Sequence, residues 1–272
     1  ATDQALEIGA DELGMRLAAG TRAYILPCIA GHVGADTAAV MLAEKPWELA
    51  KAAKAFCASN GGTVVGDELT ATDTTDFSPF LLKIRQAKPD LVATNLGGNQ
   101  VTNFVKQYAE FGLPFQVAGF NLNTADAWAA GDGNLAGIWP TVWHHELDTP
   151  GTKAFVAKFR AKHGQPPENH AWIEYVSLKI MAQAINATKG TDTEQLIKYF
   201  ESQAEFDLLK KRKGYFRAWD HQLIQEAYPF TVKPKGQAKD KWDFLKFGDA
   251  VPAASQPLES INPPKEANAC VL

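Results

Sequence analysis

The sequence is short of basic excess, of sulfur residues and of long apolar runs, and each shortage removes a class of function. Its 27 Lys and Arg residues stand against 31 Asp and Glu, a net charge of −4. A surface of that sign does not neutralise a phosphate backbone, so no nucleic-acid partner is expected. Lys210, Lys211, Arg212 and Lys213 form the one basic run, which reads as a solvated loop. No apolar stretch approaches the roughly 18–20 residues of a membrane-spanning helix, so direct membrane insertion is not expected. The chain starts Ala1-Thr2-Asp3 and carries no leader, which fits either an exported, processed protein or a trimmed chain.

Cysteine is scarce as well. Cys28, Cys57 and Cys270 are the only three, and none lies in a CxxC pair. Spacing leaves any disulfide pairing open, and Cys28 and Cys57 equally suit small buried hydrophobes. The patterns of enzymatic chemistry are missing too. His144, His145 and Glu146 are adjacent on an extended segment, so neighbouring side chains point to opposite faces, and no HExxH accompanies them. Asp220-His221 meets the same objection as a catalytic dyad. There is no GxSxG, Ser78 precedes Pro79 at a helix start, and GGTVVG lacks the strand-before-helix setting of a dinucleotide site. No catalytic residue, metal or cofactor is expected.

What is present is an α/β alternation, clearest from Asp73 to Gly112. Asp76 is placed to cap a helix with Phe77, Phe80, Leu81 and Ile84 on one face. Leu91 to Leu96 reads as a buried strand. Gly97 and Gly98 then lead into a helix whose apolar face is Val101, Phe104, Val105, Tyr108 and Phe111. Around this unit the spacing predicts helices over 3–19 and 34–44, a strand over 22–29, and a helix over 47–59 stopped by Gly61-Gly62. Strands over 63–69 and 115–121 follow. Such alternation to about residue 136 marks a doubly wound parallel sheet, whose ligands bind at the turns leaving the strands' carboxyl ends.

From Gly137 the pattern changes. Gly137 to His145 is extended and aromatic, with Pro140 arguing against a central strand. Three helices follow. The first carries Phe155 and Phe159 and ends at Gly164; the second runs from about Trp172 to Thr188. The third starts at Thr191, where Glu194 completes a capping box, and buries Leu196, Ile197 and Phe200. Tyr215 to Val232 is extended again, and the tail from Pro252 reads as surface.

The run TTDFSPFLLKIRQAKPDLV, the turn NLGGNQ, the segment KQYAEFGL and the later FRAWDHQLIQEAYPFTVK and KDKWDF together resemble the type I periplasmic binding proteins of ABC transporters, branched-chain amino acid (LivJ-like) group. The resemblance covers the chain well from about Trp47 onward and poorly before it. It implies an α/β fold of two Rossmann-like lobes joined by a three-segment hinge, with a small solute held between them. Residues 1–45 would be a partial N-terminal lobe and 46–136 the second lobe. Residues 137–215 would cross the hinge and return to the first lobe; 216–272 would cross again, add second-lobe strands and end in the tail. The Asp220-His221 pair would lie on a hinge-crossing strand. Two full lobes need roughly 300 residues, and the shortfall lies before Trp47. Segments are therefore expected to be missing near Gly20/Thr21 and Lys45/Pro46, with Cα separations there well beyond about 3.8 Å; an incomplete first lobe is the expectation on this reading.

The resemblance also implies ligand contacts. In the second lobe these are Asn95, Gly97, Gly98 and Asn99, then Phe120 and Asn121; in the first, His32, Val33 and Gly34 at a helix start. Uncapped helix N-termini favour a carboxylate or polar oxygen, and glycine lets a solute approach the backbone. Simple turn chemistry explains the same glycines, and capping the same asparagines. Amino-acid-binding members place a carboxylate near Asn121 to pair with the ligand's ammonium. Here Gly119-Phe120-Asn121 offers none before Asp126. An amide does not neutralise a buried cation, so an uncharged or anionic solute is expected. Phe120, Trp128, Trp139 and Trp143 suit an aromatic carboxylate or amide, although each also suits core packing. The expected role is an exported, periplasmic receptor that delivers a small molecule to a membrane permease. A ligand-binding regulatory sensor on the same fold, or a non-transport subunit reusing the scaffold, is the alternative.

Overall fold

The structure, a computed structural model, describes residues 37–43, 48–120, 122–133, 135–234, 236–262 and 264–267, with side chains from residue 53 onward in the first helix. The readings for 3–19 and 22–29, the joins at Gly20/Thr21 and Lys45/Pro46, Cys28, Cys270, His32, Val33, Gly34 and Asn121 lie outside the described residues. The described chain forms two units. Residues 37–141 and 228–249 make a sheet unit; residues 142–227 and 250–267 make a helical unit. The chain passes between them at 141/142, 227/228 and 249/250.

The sheet unit runs β1 (Ala38–Ala43), α1 (Glu48–Ser59), β2 (Thr63–Leu69), α2 (Ser78–Ala87), β3 (Leu91–Asn95), α3 (Asn99–Glu110), β4 (Gln116–Gly119) and α4 (Thr124–Ala130). Its four strands are parallel in the order β2-β1-β3-β4. On one face Val40, Leu42 and Val92 pack against Phe77, Leu81 and Ile84 of α2 and its N-terminus and against Val101, Phe104, Val105 and Tyr108 of α3. On the other, Ala39, Met41 and Ala93 pack with Ala53 and Cys57 of α1. Cys57 is the small buried hydrophobe that the sequence allowed, and its thiol is free.

β1 overturns one expectation. Residues 34–44 read as an alanine-rich helix, yet Ala38–Ala43 is the central strand, paired on one side with β2 and on the other with β3. A central parallel strand is covered on both faces and therefore reads as a continuous apolar run. Over six residues, AAVMLA has no period to separate strand from helix. Residues 38–43 thereby lie in the sheet unit.

The unit is completed by β5 (Trp139–Thr141), β8 (Tyr228–Val232) and β9 (Leu245–Phe247), antiparallel in the order β5-β8-β9. Pro140 sits on the outer strand of this small sheet, opposite Pro229, where a missing N–H costs no ladder bond. Ile138 joins β4 through Gly119 N–H to its carbonyl at 3.0 Å and its own N–H to Val117 O at 2.9 Å.

The helical unit holds α5 (Pro150–His163), α6 (Asn169–Thr188), α7 (Thr193–Glu201) and the antiparallel pair β6 (Tyr215–Phe216) and β7 (Leu223–Ile224). Each helix has an oxygen at its start: Thr149 accepts from Thr152 N–H, Glu168 from His170 and Ala171 N–H, Asp192 from Gln195 N–H. The cap of α7 is thus Asp192 and not Thr191, since a carboxylate both accepts the bond and complements the helix dipole. Leu196, Ile197 and Phe200 are only partly buried. Trp143 stacks on Trp172 with centroids 6.0 Å apart and planes within 6°.

The basic run is not a solvated loop. Lys210 is buried, its ammonium 2.6 Å from both Gln225 Oε1 and Glu226 O and 4.8 Å above the Trp172 ring. Arg212 pairs with the buried carboxylate of Glu226 at 2.9 Å. Lys211 and Lys213 are exposed, and Lys213 reaches Glu205 at 3.4 Å.

Candidate functional site

Strand order fixes where a ligand site belongs in the sheet unit. The chain leaves β1 toward β2 on one side, and leaves β3 toward β4 on the other. The connections diverge at the carboxyl ends of β1 and β3, which is the switch point where open parallel sheets form a crevice. Ala43 and Asn95 are register partners on the last rung there.

Beyond Asn95 the chain turns sharply. Leu96 is buried, and Gly98 carries φ +53 at the N-cap of α3, a backbone conformation that disfavours a side chain. A Cβ at Gly98 would meet nothing within 4 Å, so the requirement is conformational and not steric. No side chain caps α3, a 12-residue helix whose first residue, Asn99, is exposed. Its partial positive end therefore lies beside Asn95, Gly97 and Gly98. Neither 95–100 nor 116–125 contains an Asp or Glu. Asp126, the first carboxylate after β4, accepts from Asn123 Nδ2 at 3.1 Å.

Gln100, at the end of the NLGGNQ turn, is buried and structural. Its Oε1 accepts from the Thr70 hydroxyl at 3.2 Å and its Nε2 donates to Ala71 O at 2.6 Å, while Thr70 N–H donates to Ala43 O at 2.8 Å. The start of α3 is thereby tied to the carboxyl ends of β2 and β1. This role was invisible in sequence, because it depends on which strand neighbours β1.

The aromatic candidates are committed elsewhere. Phe120 is buried with Met41, Ala93 and Ala118. Trp139 is fully buried and donates to Ala136 O at 2.9 Å; Trp128 donates to Trp242 O at 3.1 Å. Trp143 is fully buried in the helical unit and donates to Thr152 Oγ1 at 3.2 Å. Core packing, the alternative weighed for each, describes Phe120, Trp139 and Trp143, while Trp128 is partly buried against the core that holds Trp139.

The histidine motifs fall apart in three dimensions. His145 and Glu146 stand 3.9 Å apart, and burial, with His145 and Lys210 nearby, depresses the His144 imidazole to about 3. Among the described residues no group of three His, Cys, Asp or Glu side chains converges. Asp220 is held by Arg217, while His221 turns away to Glu201 at 2.8 Å. That pair occupies the β6–β7 turn and not the crossing at 227/228.

Among the described residues no helix is long and apolar enough to cross a membrane. Residues 18–238 match the family model of periplasmic binding proteins. The Leu/Ile/Val-binding protein homolog 8 of Brucella abortus is 30% identical over 148 residues, which is 50% of this chain and 36% of that protein. A branched chain amino acid ABC transporter periplasmic ligand-binding protein from Burkholderia xenovorans is similar in structure, with TM-score 0.71 and 26% identity over 85% of this chain and 62% of that one. An ABC transporter solute-binding protein from R. palustris, in complex with benzoate, gives TM-score 0.70 and 21% identity over 85% of this chain and 62% of that one. The chain thus spans about a third of the length of the Brucella relative. With the α/β fold, the parallel sheet and a family model spanning most of its residues, the chain belongs to the periplasmic binding protein family.

Proposed function

We propose that this chain is the solute-binding receptor of an ABC importer, working in the periplasm and delivering an uncharged or anionic small molecule to a membrane permease. The observation that carries the reading is the switch point at Ala43 and Asn95, where the uncapped start of α3 meets a turn of two glycines and two asparagines. That edge offers backbone N–H groups and amides, the chemistry that receives a carboxylate or carbonyl oxygen. The absence of Asp and Glu from 95–100 and 116–125 disfavours a solute bearing an ammonium group. The benzoate-bound relative supports the idea that this fold accommodates an aromatic carboxylate. Asn95, Gly97, Gly98 and Asn99 are the proposed contacts, and the resemblance adds Asn121, His32, Val33 and Gly34.

The test is calorimetric titration of the chain, and of the full-length protein, with benzoate, benzamide and leucine. Benzoate or benzamide binding that weakens at least about tenfold in Asn95→Ala supports the reading. Micromolar leucine binding with no response to benzoate or benzamide overturns the choice of solute class.

A further inference from the structure

The segment 208–212 touches every stretch of chain that adjoins a passage between the two units. After the first passage, Trp143 Nε1 donates to Thr152 Oγ1, and the hydroxyls of Thr149 and Thr152 both donate to Leu209 O, at 2.6 and 2.7 Å. Before the second, Lys210 holds Gln225 Oε1 and Glu226 O, and Arg212 Nε holds Glu226 Oε2 at 2.9 Å. After the third, the same guanidinium reaches Gln256 O at 3.0 Å and also Pro252 O. The second and third stretches are joined directly, Ala227 and Val251 exchanging two backbone bonds of 2.8 Å. Beneath the segment, Trp172 Nε1 donates to Leu208 O at 2.9 Å, which fixes it to α6.

We propose that residues 208–212 form an anchor that holds all three crossing stretches to the helical unit as one body, with Arg212 as its positioning residue. Three features support this. The Arg212 donor is a cation, whose hydrogen bonds are about twice as strong as neutral ones. Lys210 and Glu226 are buried, so water competes little for those bonds. The fork of Arg212 satisfies a carboxylate on one stretch and carbonyls on another at the same time, which an ammonium does not. Any change in the backbone φ and ψ angles at 141/142, 227/228 and 249/250 then stops at the anchor and does not spread into the helical unit. The anchor is independent of which solute binds.

Amide hydrogen exchange on the 272-residue chain tests it, with the wild type, Arg212→Gln and Arg212→Lys compared. In Arg212→Gln the protected amides of Ala227, Val251 and Gln256 exchange at least about tenfold faster, while those of α6 keep their rates. In Arg212→Lys the ammonium still pairs with Glu226, so the faster exchange concentrates at 251–256. If Arg212→Gln does not fold, Arg212→Lys decides alone. Unchanged exchange at 251–256, or an equal rise throughout the helical unit including α6, overturns the proposal.

Discussion

Gly119 ends β4 flat against the indole of Trp139: a Cβ on Gly119 would stand 1.6 Å from Trp139 Cζ3. Trp139 is fully buried and tethered by its Nε1, so the ring has nowhere to retreat. Gly119→Ala should therefore destabilise the protein by about 3 kcal/mol or more, at the upper end of overpacking costs. Gly98→Ala is the contrasting case, with open space and a positive φ, and should cost about 1–2 kcal/mol through backbone conformation alone. Urea midpoints of the two variants measure the difference; equal midpoints would refute the steric account of Gly119.

Gln100→Ala leaves the Thr70 hydroxyl and the Ala71 carbonyl without their partner inside the sheet unit. A loss of about 1–3 kcal/mol is expected, since an unmade bond to a buried group costs more than its formation contributes. Gln100→Glu replaces the Nε2 donor by a carboxyl that is a buried anion when ionised and an O–H donor toward Ala71 O when protonated, so it should retain more of that stability near pH 4 than at pH 7. Chemical denaturation of both variants at pH 4 and pH 7 reads this out.

Acid should act through His144. Burial, with His145 and Lys210 beside it, lowers the folded imidazole from 6.5 to about 3. As pH falls below 6.5, the unfolded chain takes up the proton and the folded one does not. Stability is therefore lost between about pH 6.5 and pH 3, on the order of 4 kcal/mol over the full window. His144→Gln should flatten that part of the stability–pH curve, and an unaltered acid slope would exclude the assignment.

Lys210 should act on the alkaline side and in the same direction. Burial lowers its ammonium from 10.5 to about 7, against the pull of Glu226 and with Arg212 adding repulsion. Above pH 7 the unfolded chain retains a proton that the folded chain releases, so stability rises with pH. The rise should continue to about pH 9.5, short of the ionisation of Tyr108 and Tyr215, whose folded hydroxyls burial pushes to about 12. Lys210→Met should abolish the rise while lowering stability at pH 7, because Gln225 Oε1 and Glu226 O lose their donor. Denaturant melts of wild type and variant between pH 7 and 9.5 provide the check.

The elements legible in sequence were those with a period and punctuation. The apolar faces of α2 and α3, Gly164 with φ +70 at the end of α5, and Pro140 on an outer strand followed from local rules. The misread elements were decided by tertiary surroundings. β1 is a strand because β2 and β3 flank it, and Lys210 is buried because Trp172, Gln225 and Glu226 converge on it from distant positions. At the candidate site, the Asn95–Asn99 turn was visible as glycines between a strand and a helix. The commitment of Phe120 and Trp143 to two separate cores was not, since an aromatic side chain reads the same in a pocket and in a core.

The middle position of β1 has a practical consequence for anyone shortening this polypeptide. Within the parallel sheet, β2 touches no strand but β1, and β1 is what joins it to β3. A fragment starting at α1 would leave both β2 and β3 with a bare row of amides and carbonyls, two templates for pairing with other molecules. Such a fragment should sediment as aggregates, however well its helices are formed.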